Sequence, residues 1–202
     1  MRQQIVRIDR ETSAAPDTAT VEEFARAAGR AAEGCDAMLV SDYGSGLVIP
    51  ALGSRLRTRL ARSSRRRPMP LLIDSRYDLL RYRSMTACTP NESEVEQMFG
   101  TTLGDDPRHL ERAGRAILKR TRSKGVVITR GSRGMAVFVP SHRTQHIPVF
   151  GTDEVADVTG AGDTVIATMT LALAAGGSFY EAARLANYAG GLVVMKRGTA
   201  TV

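Results

Sequence analysis

The sequence predicts an α/β fold: a mainly parallel sheet with helices covering both faces. Three observations carry this. Short apolar or β-branched runs alternate with stretches of helical period. A glycine-rich turn late in the chain joins an extended approach to a helix. The composition, 43% hydrophobic and 24% charged over 202 residues, is that of an ordinary globular domain.

The elements follow in order. Met38–Tyr43 reads as a strand and Pro50–Arg65 as the next helix, with Leu52, Leu56 and Leu60 forming an apolar stripe. Leu71–Asp74 is a second strand. Thr86–Thr89 is a third, weaker one, ended by Pro90. Asn91–Phe99 is a short helix closed by Gly100, and Pro107–Arg122 a longer one with Leu110, Ala113 and Ile117 inward. Gly125–Thr129 is a fourth strand. Gly134–Val139 and Thr144–Val149 form a hairpin around Pro140–Arg143. Two helices close the chain, about Ala161–Ala175 and Ser178–Lys196. Ser13–Thr20, small and polar with Pro16, reads as a flexible segment. Strand–helix units repeated in this way imply a parallel sheet buried on both faces.

Charge and cysteine content exclude several classes. Lys and Arg number 28 against 21 Asp and Glu, a net charge of +7, and arginines crowd between Arg55 and Arg67. Arg55, Arg59, Arg62 and Arg66 form a second stripe on the helix of Leu52, which reads as a solvated outer face. No aromatic residue interleaves with them, so nucleic-acid binding is not expected. No run approaches the roughly 18 apolar residues of a membrane span. The first residues carry no apolar leader, and the two cysteines, Cys35 and Cys88, form no scaffold, which reads as a cytoplasmic chain.

The chemistry concentrates in Val155-Ala-Asp157-Val-Thr-Gly160-Ala-Gly162-Asp163-Thr. Unpaired amides at such a turn join the positive end of the helix dipole to make an anion site. Glycines at 160 and 162 let a phosphate approach without a Cβ in the way. Asp163, in the first helical turn, can take a proton from a hydroxyl attacking phosphorus. The alternative is a plain helix start, with Asp163 complementing the dipole. The pattern is neither a Walker A loop nor G-x-G-x-x-G.

Asp157-Val-Thr-Gly-Ala-Gly-Asp163-Thr resembles the C-terminal signature of the ribokinase-like, or PfkB-type, carbohydrate kinases. The resemblance implies a three-layer α/β/α fold, with Asp163 as catalytic base and Gly160, Ala161 and Gly162 as the anion hole. It implies ATP as phosphoryl donor with Mg2+, and a monovalent cation such as K+ near Asp157 and the Lys196–Gly198 stretch. Thr89-Pro-Asn91-Glu92-Ser-Glu94 matches the family's N-x-x-E motif, which places Asn91 near the nucleotide and Glu94 at magnesium through water. The same residues also read as a helix-capping pair. Thr129, Gly131 and Gly134 match a T-x-G turn along the nucleotide phosphates, and Asn187 matches an asparagine near the nucleotide.

Leu39-Val-Ser-Asp42-Tyr43-Gly-Ser-Gly46, Arg81–Asn91, Gly131–Met135 and Gly198–Val202 resemble the heptose 7-phosphate kinase branch. On that likeness Asp42, Asp74 and Arg76 are expected at the sugar phosphate, with Asp74-Ser75-Arg76 standing where the branch has D-P-K. Residues 1–20 then resemble a remnant of the lid segment, and 21–202 the nucleotide-binding and catalytic portion. The family's sugar-binding N-terminal portion is not represented, so a free sheet edge is expected, and a homodimer or a partner could supply what is missing. Two functions stay open: a kinase acting on a phosphorylated sugar, or a non-catalytic nucleotide-binding or regulatory module.

Overall fold

The computed structural model describes residues 16–61, 68–151, 158–196 and 200–202. Six strands form one sheet: β1 (Met38–Asp42), β2 (Leu71–Ser75), β3 (Ala87–Cys88), β4 (Gly125–Thr129), β5 (Met135–Phe138) and β6 (Gln145–Ile147). They lie in chain order, with β1 to β4 parallel and β5 and β6 added antiparallel as the expected hairpin. β1 is an edge strand among the described residues.

The period of two along each strand divides the core. Leu71, Ile73, Val126, Ile128 and Phe138 face one layer, packed by helices α1 (Thr18–Ala31), α2 (Pro50–Ala61), α3 (Glu92–Phe99) and α4 (Pro107–Thr121). Their neighbours Leu72, Val127, Met135 and Val137 face the other, packed by α5 (Ala161–Ala174) and α6 (Phe179–Val194). Burial on both faces explains why these strands read as continuous apolar runs. The layers close tightly at Gly114 of α4, where an added Cβ would sit 2.4 Å from the Phe138 ring.

Two expectations need correction. Ser13–Thr20 does not read through as a flexible segment: Thr18–Thr20 are the first turn of α1, capped by Asp17, whose carboxylate accepts from the Thr20 amide at 2.7 Å. Residues 13–15 lie outside the described residues. Helix α1 escaped the sequence reading because its inward stripe, Val21, Ala25 and Gly29, is small and weakly apolar. The arginine stripe of α2 is also not simply solvated. Arg55 pairs with Glu22 of α1 at 3.2 Å, and the Arg59 stem lies over Gly29, 2.4 Å from where a Cβ would be. Arg62 and Arg66 lie outside the described residues. Among the described residues no helix is long and apolar enough to cross a membrane.

Candidate active site

Parallel strands bring their carboxyl ends to one rim, and crevices at that rim are where open α/β sheets hold ligands. Here β1 ends at Asp42, β2 at Ser75 and β3 at Cys88, from which the chain passes through Thr89 and Pro90 to Asn91. The start of α5 lies across the same rim. Together they line a cleft of about 610 Å³ that includes Asp42, Tyr43, Asp74, Arg76, Glu94 and Asp163.

Helix α5 begins at Ala161, with Asp163 in its first turn. Gly160 is the N-cap at φ 79°, a left-handed backbone that favours glycine. The Ala161 amide donates to the Val158 carbonyl at 3.2 Å. Among the described residues no carbonyl receives the amides of Gly162 or Asp163, and both residues line the cleft. Among the described residues a Cβ on Gly162 would meet nothing within 4 Å, yet Gly162 lines the cleft. The fold has no need of a glycine there; the space beside it does.

Acidic groups crowd the cleft. Asp74 is pushed up to about 6, first by burial and then by the charges of Glu94, Asp163 and Asp42. Glu94 is also raised, by burial above all, with Arg76 pulling the other way. Arg76 supplies positive charge in the lining and stacks over the Tyr77 ring at 5.7 Å. Asn91 and Glu94 form a true capping box: the Glu94 amide donates to Asn91 Oδ1 and the Asn91 amide to Glu94 Oε2, each at 2.9 Å. Both residues also line the cleft, so the cap and the site readings apply together. The donors are hard oxygens, the chemistry a magnesium ion takes, with waters and phosphates completing its shell. Among the described residues no three such groups converge to ligate a metal directly.

Asp42 lines the cleft and is also held by the protein around it. It is 5% exposed, and both carboxylate oxygens are engaged by the protein. Gly44 N donates to Oδ1 at 3.0 Å, while Ser75 Oγ and Tyr82 Oη donate to Oδ2 at 2.8 Å each. Burial and Asp42 both keep the Tyr82 phenol protonated. Asp42 thus anchors the turn after β1. That turn carries a residue to which the sequence reading gave no role: Tyr43, whose hydroxyl donates to Asp163 Oδ1 at 2.7 Å. The available signal was an aromatic residue between a strand-end aspartate and a Gly-x-Gly turn.

Thr129, Gly131, Gly134 and Asn187 are not among the described residues that line the cleft, although Thr129, at the end of β4, pairs with Asn91, which is. Gly134, at φ 75°, admits the Ile147 carbonyl to 2.0 Å from where a Cβ would be, closing the β5–β6 hairpin. Gly131 opens the 3-10 turn between them. Asn187 is 7% exposed and donates to the Pro148 carbonyl at 2.9 Å, tying α6 to the segment just after β6. Asp157 and Gly198 lie outside the described residues.

With this geometry in hand, residues 18–202 match the model of the pfkB family carbohydrate kinases. The chain belongs to that family. The bifunctional protein HldE of Geobacter sulfurreducens is 40% identical over 204 residues, covering 99% of this chain and 40% of that protein. HldE of Geobacter metallireducens is 43% identical over 205 residues, with the same coverage of 99% and 40%. The chain thus spans about 40% of the length of these relatives. Among solved pfkB-like folds, Escherichia coli phosphofructokinase-2 in complex with potassium superposes with a TM-score of 0.72 at 20% identity, over 89% of this chain and 58% of that one. Arabidopsis thaliana ribokinase complexed with ribose and ATP gives 0.66 at 21%, over 92% and 55%. The fold is ribokinase-like, as the family signature implies.

Proposed function

We propose that this chain is the nucleotide-binding and catalytic portion of an ATP-dependent kinase that phosphorylates a sugar phosphate of the heptose 7-phosphate class. The observation that carries the reading is Asp163 in the first turn of α5, facing an acidic cleft beside the open amides of a glycine turn. The heptose class rests on the motif likeness around Asp42 and Arg81–Asn91 and on the identity to HldE.

In this reading Asp163 accepts the proton of the sugar hydroxyl as its oxygen attacks the γ-phosphorus. The amides of Gly162 and Asp163, at the positive end of α5, stabilise charge on the transferring group. Arg76 offers a second positive group in the cleft, suited to a phosphate. Glu94 would hold a magnesium ion through water, and the ion would supply charge neutralisation to the nucleotide phosphates. A K+ ion near Asp157 belongs to the proposal through the family signature alone. Phosphoryl transfer relies on positioning and electrostatics, which the helix start and the cleft charges supply.

The test is calorimetric titration with Mg·ATP, followed by transfer to heptose 7-phosphate read as ADP and as product mass. Asp163→Asn is expected to keep nucleotide affinity and lose turnover. Normal turnover in that variant removes Asp163 as base. Nucleotide binding without transfer in the unmodified chain favours a binding or regulatory module, and no nucleotide binding ends both readings.

A further inference from the structure

The hydrogen bond between Tyr43 and Asp163 joins residues 120 positions apart. Its donor is a neutral hydroxyl at 2.7 Å from the carboxylate, the same kind of group and contact that an acceptor alcohol needs to offer the base. Resting on the kinase reading, we propose that Tyr43 guards the base: its phenol occupies Asp163 until an acceptor alcohol takes its place, and so keeps water from being phosphorylated.

The surroundings fit a side chain that moves on a backbone that does not. The turn is fixed below by Asp42, which binds the Gly44 amide and is itself held by Ser75 and Tyr82. It is fixed above by Tyr77, whose ring lies 2.7 Å from where a Cβ on Gly44 would be, with Gly44 at φ 81°. Tyr43 itself is 59% exposed. An exposed ring on a clamped turn can swing through its rotamers while the turn stays in place. The phenol keeps its proton in the working range, because its bond to Asp163 raises it above the ordinary tyrosine value, helped by burial.

The chemistry sets the need for such a device. Hydrolysis and transfer share every step but the nucleophile. An oxygen–phosphorus bond forms, the bond from the γ-phosphorus to the β–γ bridging oxygen breaks, ADP leaves with that electron pair, and the proton goes to Asp163. Water competes at high concentration in an open cleft. A phenol already on the carboxylate must be displaced, and a sugar phosphate has other contacts to offset that loss, whereas water has none. Hydrogen bonds to charged groups are strong enough to hold back the competing reaction about tenfold.

The experiment measures ADP formed from Mg·ATP without any sugar, alongside calorimetric nucleotide affinity. Tyr43→Phe, which keeps the ring and loses the hydroxyl, is expected to raise ADP formation about tenfold at unchanged nucleotide affinity. Tyr43→Leu is expected to do the same. The double variant Tyr43→Phe/Asp163→Asn is expected to lose the gain. Equal or slower ADP formation in Tyr43→Phe, including none in either form, overturns the guard, while transfer to heptose 7-phosphate by the unmodified chain upholds the kinase reading. A gain that survives in the double variant also overturns it, since the base would not be involved. Absence of nucleotide binding ends the kinase reading and the guard with it.

Discussion

Glu92 and Glu94 sit in the same turn of α3, and their surroundings are opposite. Glu92 turns to the β4–β5 connection, where Arg133 meets it at 2.6 Å and Arg130 at 3.7 Å, and Arg133 reaches on to Asp105 at 2.8 Å. Glu94 turns to the cleft, where Asp74 and Asp163 are its company and burial raises it. On one side each acid has its cation, and the charges staple α3 to the turn after β4. On the other, acids face acids beside a single engaged arginine stack and a glycine turn. Paired charge staples α3 to the turn after β4, whereas the acids that line the cleft raise one another's proton affinity.

The largest effect expected from breaking the contrast is on catalysis. Asp163→Asn should lower phosphoryl transfer by about 10²- to 10⁴-fold, the usual worth of a general base, with nucleotide affinity retained by calorimetry. Next comes the paired side. Glu92→Gln leaves Arg130, only 14% exposed, without its counter-charge. A cost of about 2 kcal/mol is expected in the urea unfolding free energy, below the full buried-pair figure because Arg133 is solvated.

The cleft side should respond in the other direction. Asp74 is raised from 3.8 to about 6 on folding, so the folded chain binds more protons than the unfolded one between those values. Its contribution is therefore unfavourable at neutral pH, and stability falls as pH rises through that window. Asp74→Asn should flatten the fall and add about 1–2 kcal/mol at pH 7 without ligand, as read by unfolding midpoints at several pH values. The smallest effect sharpens the point. Gly162→Ala fills open space on a helix, so stability should rise by about 0.5–1 kcal/mol. Nucleotide affinity should fall, because the methyl group enters the space next to the open amides. A variant that binds ATP unchanged would detach the glycine turn from the phosphate.

Much of the fold was legible. Strands buried on both sides print as apolar runs, and caps such as Asn91 with Glu94 and Ser178 with Glu181 mark helix starts in the chain itself. What was not legible had weak local signals. Helix α1 hides behind an alanine and glycine stripe, and the α2 arginines look solvated until α1 is laid against them. The site divided in the same way. Asp163 and the glycine turn were visible as a motif, and Glu94 as a cap with a second use. The part Asp42 plays was not visible, since nothing local says that Ser75 and Tyr82 will both donate to it.

The sequence by itself determined the alternation of strand and helix, the glycine-rich turn before α5, and an aspartate in that helix's first turn. These follow from backbone sterics and hydrogen bonding within a few residues. Only the tertiary structure decided that Asp74, Glu94, Tyr43 and Asp163 share one cleft, and that Glu92 does not. Their meeting depends on the parallel order of β1, β2 and β3 and on α5 crossing their carboxyl ends. Such contacts are set by packing whole layers together, and no short stretch of chain carries that information.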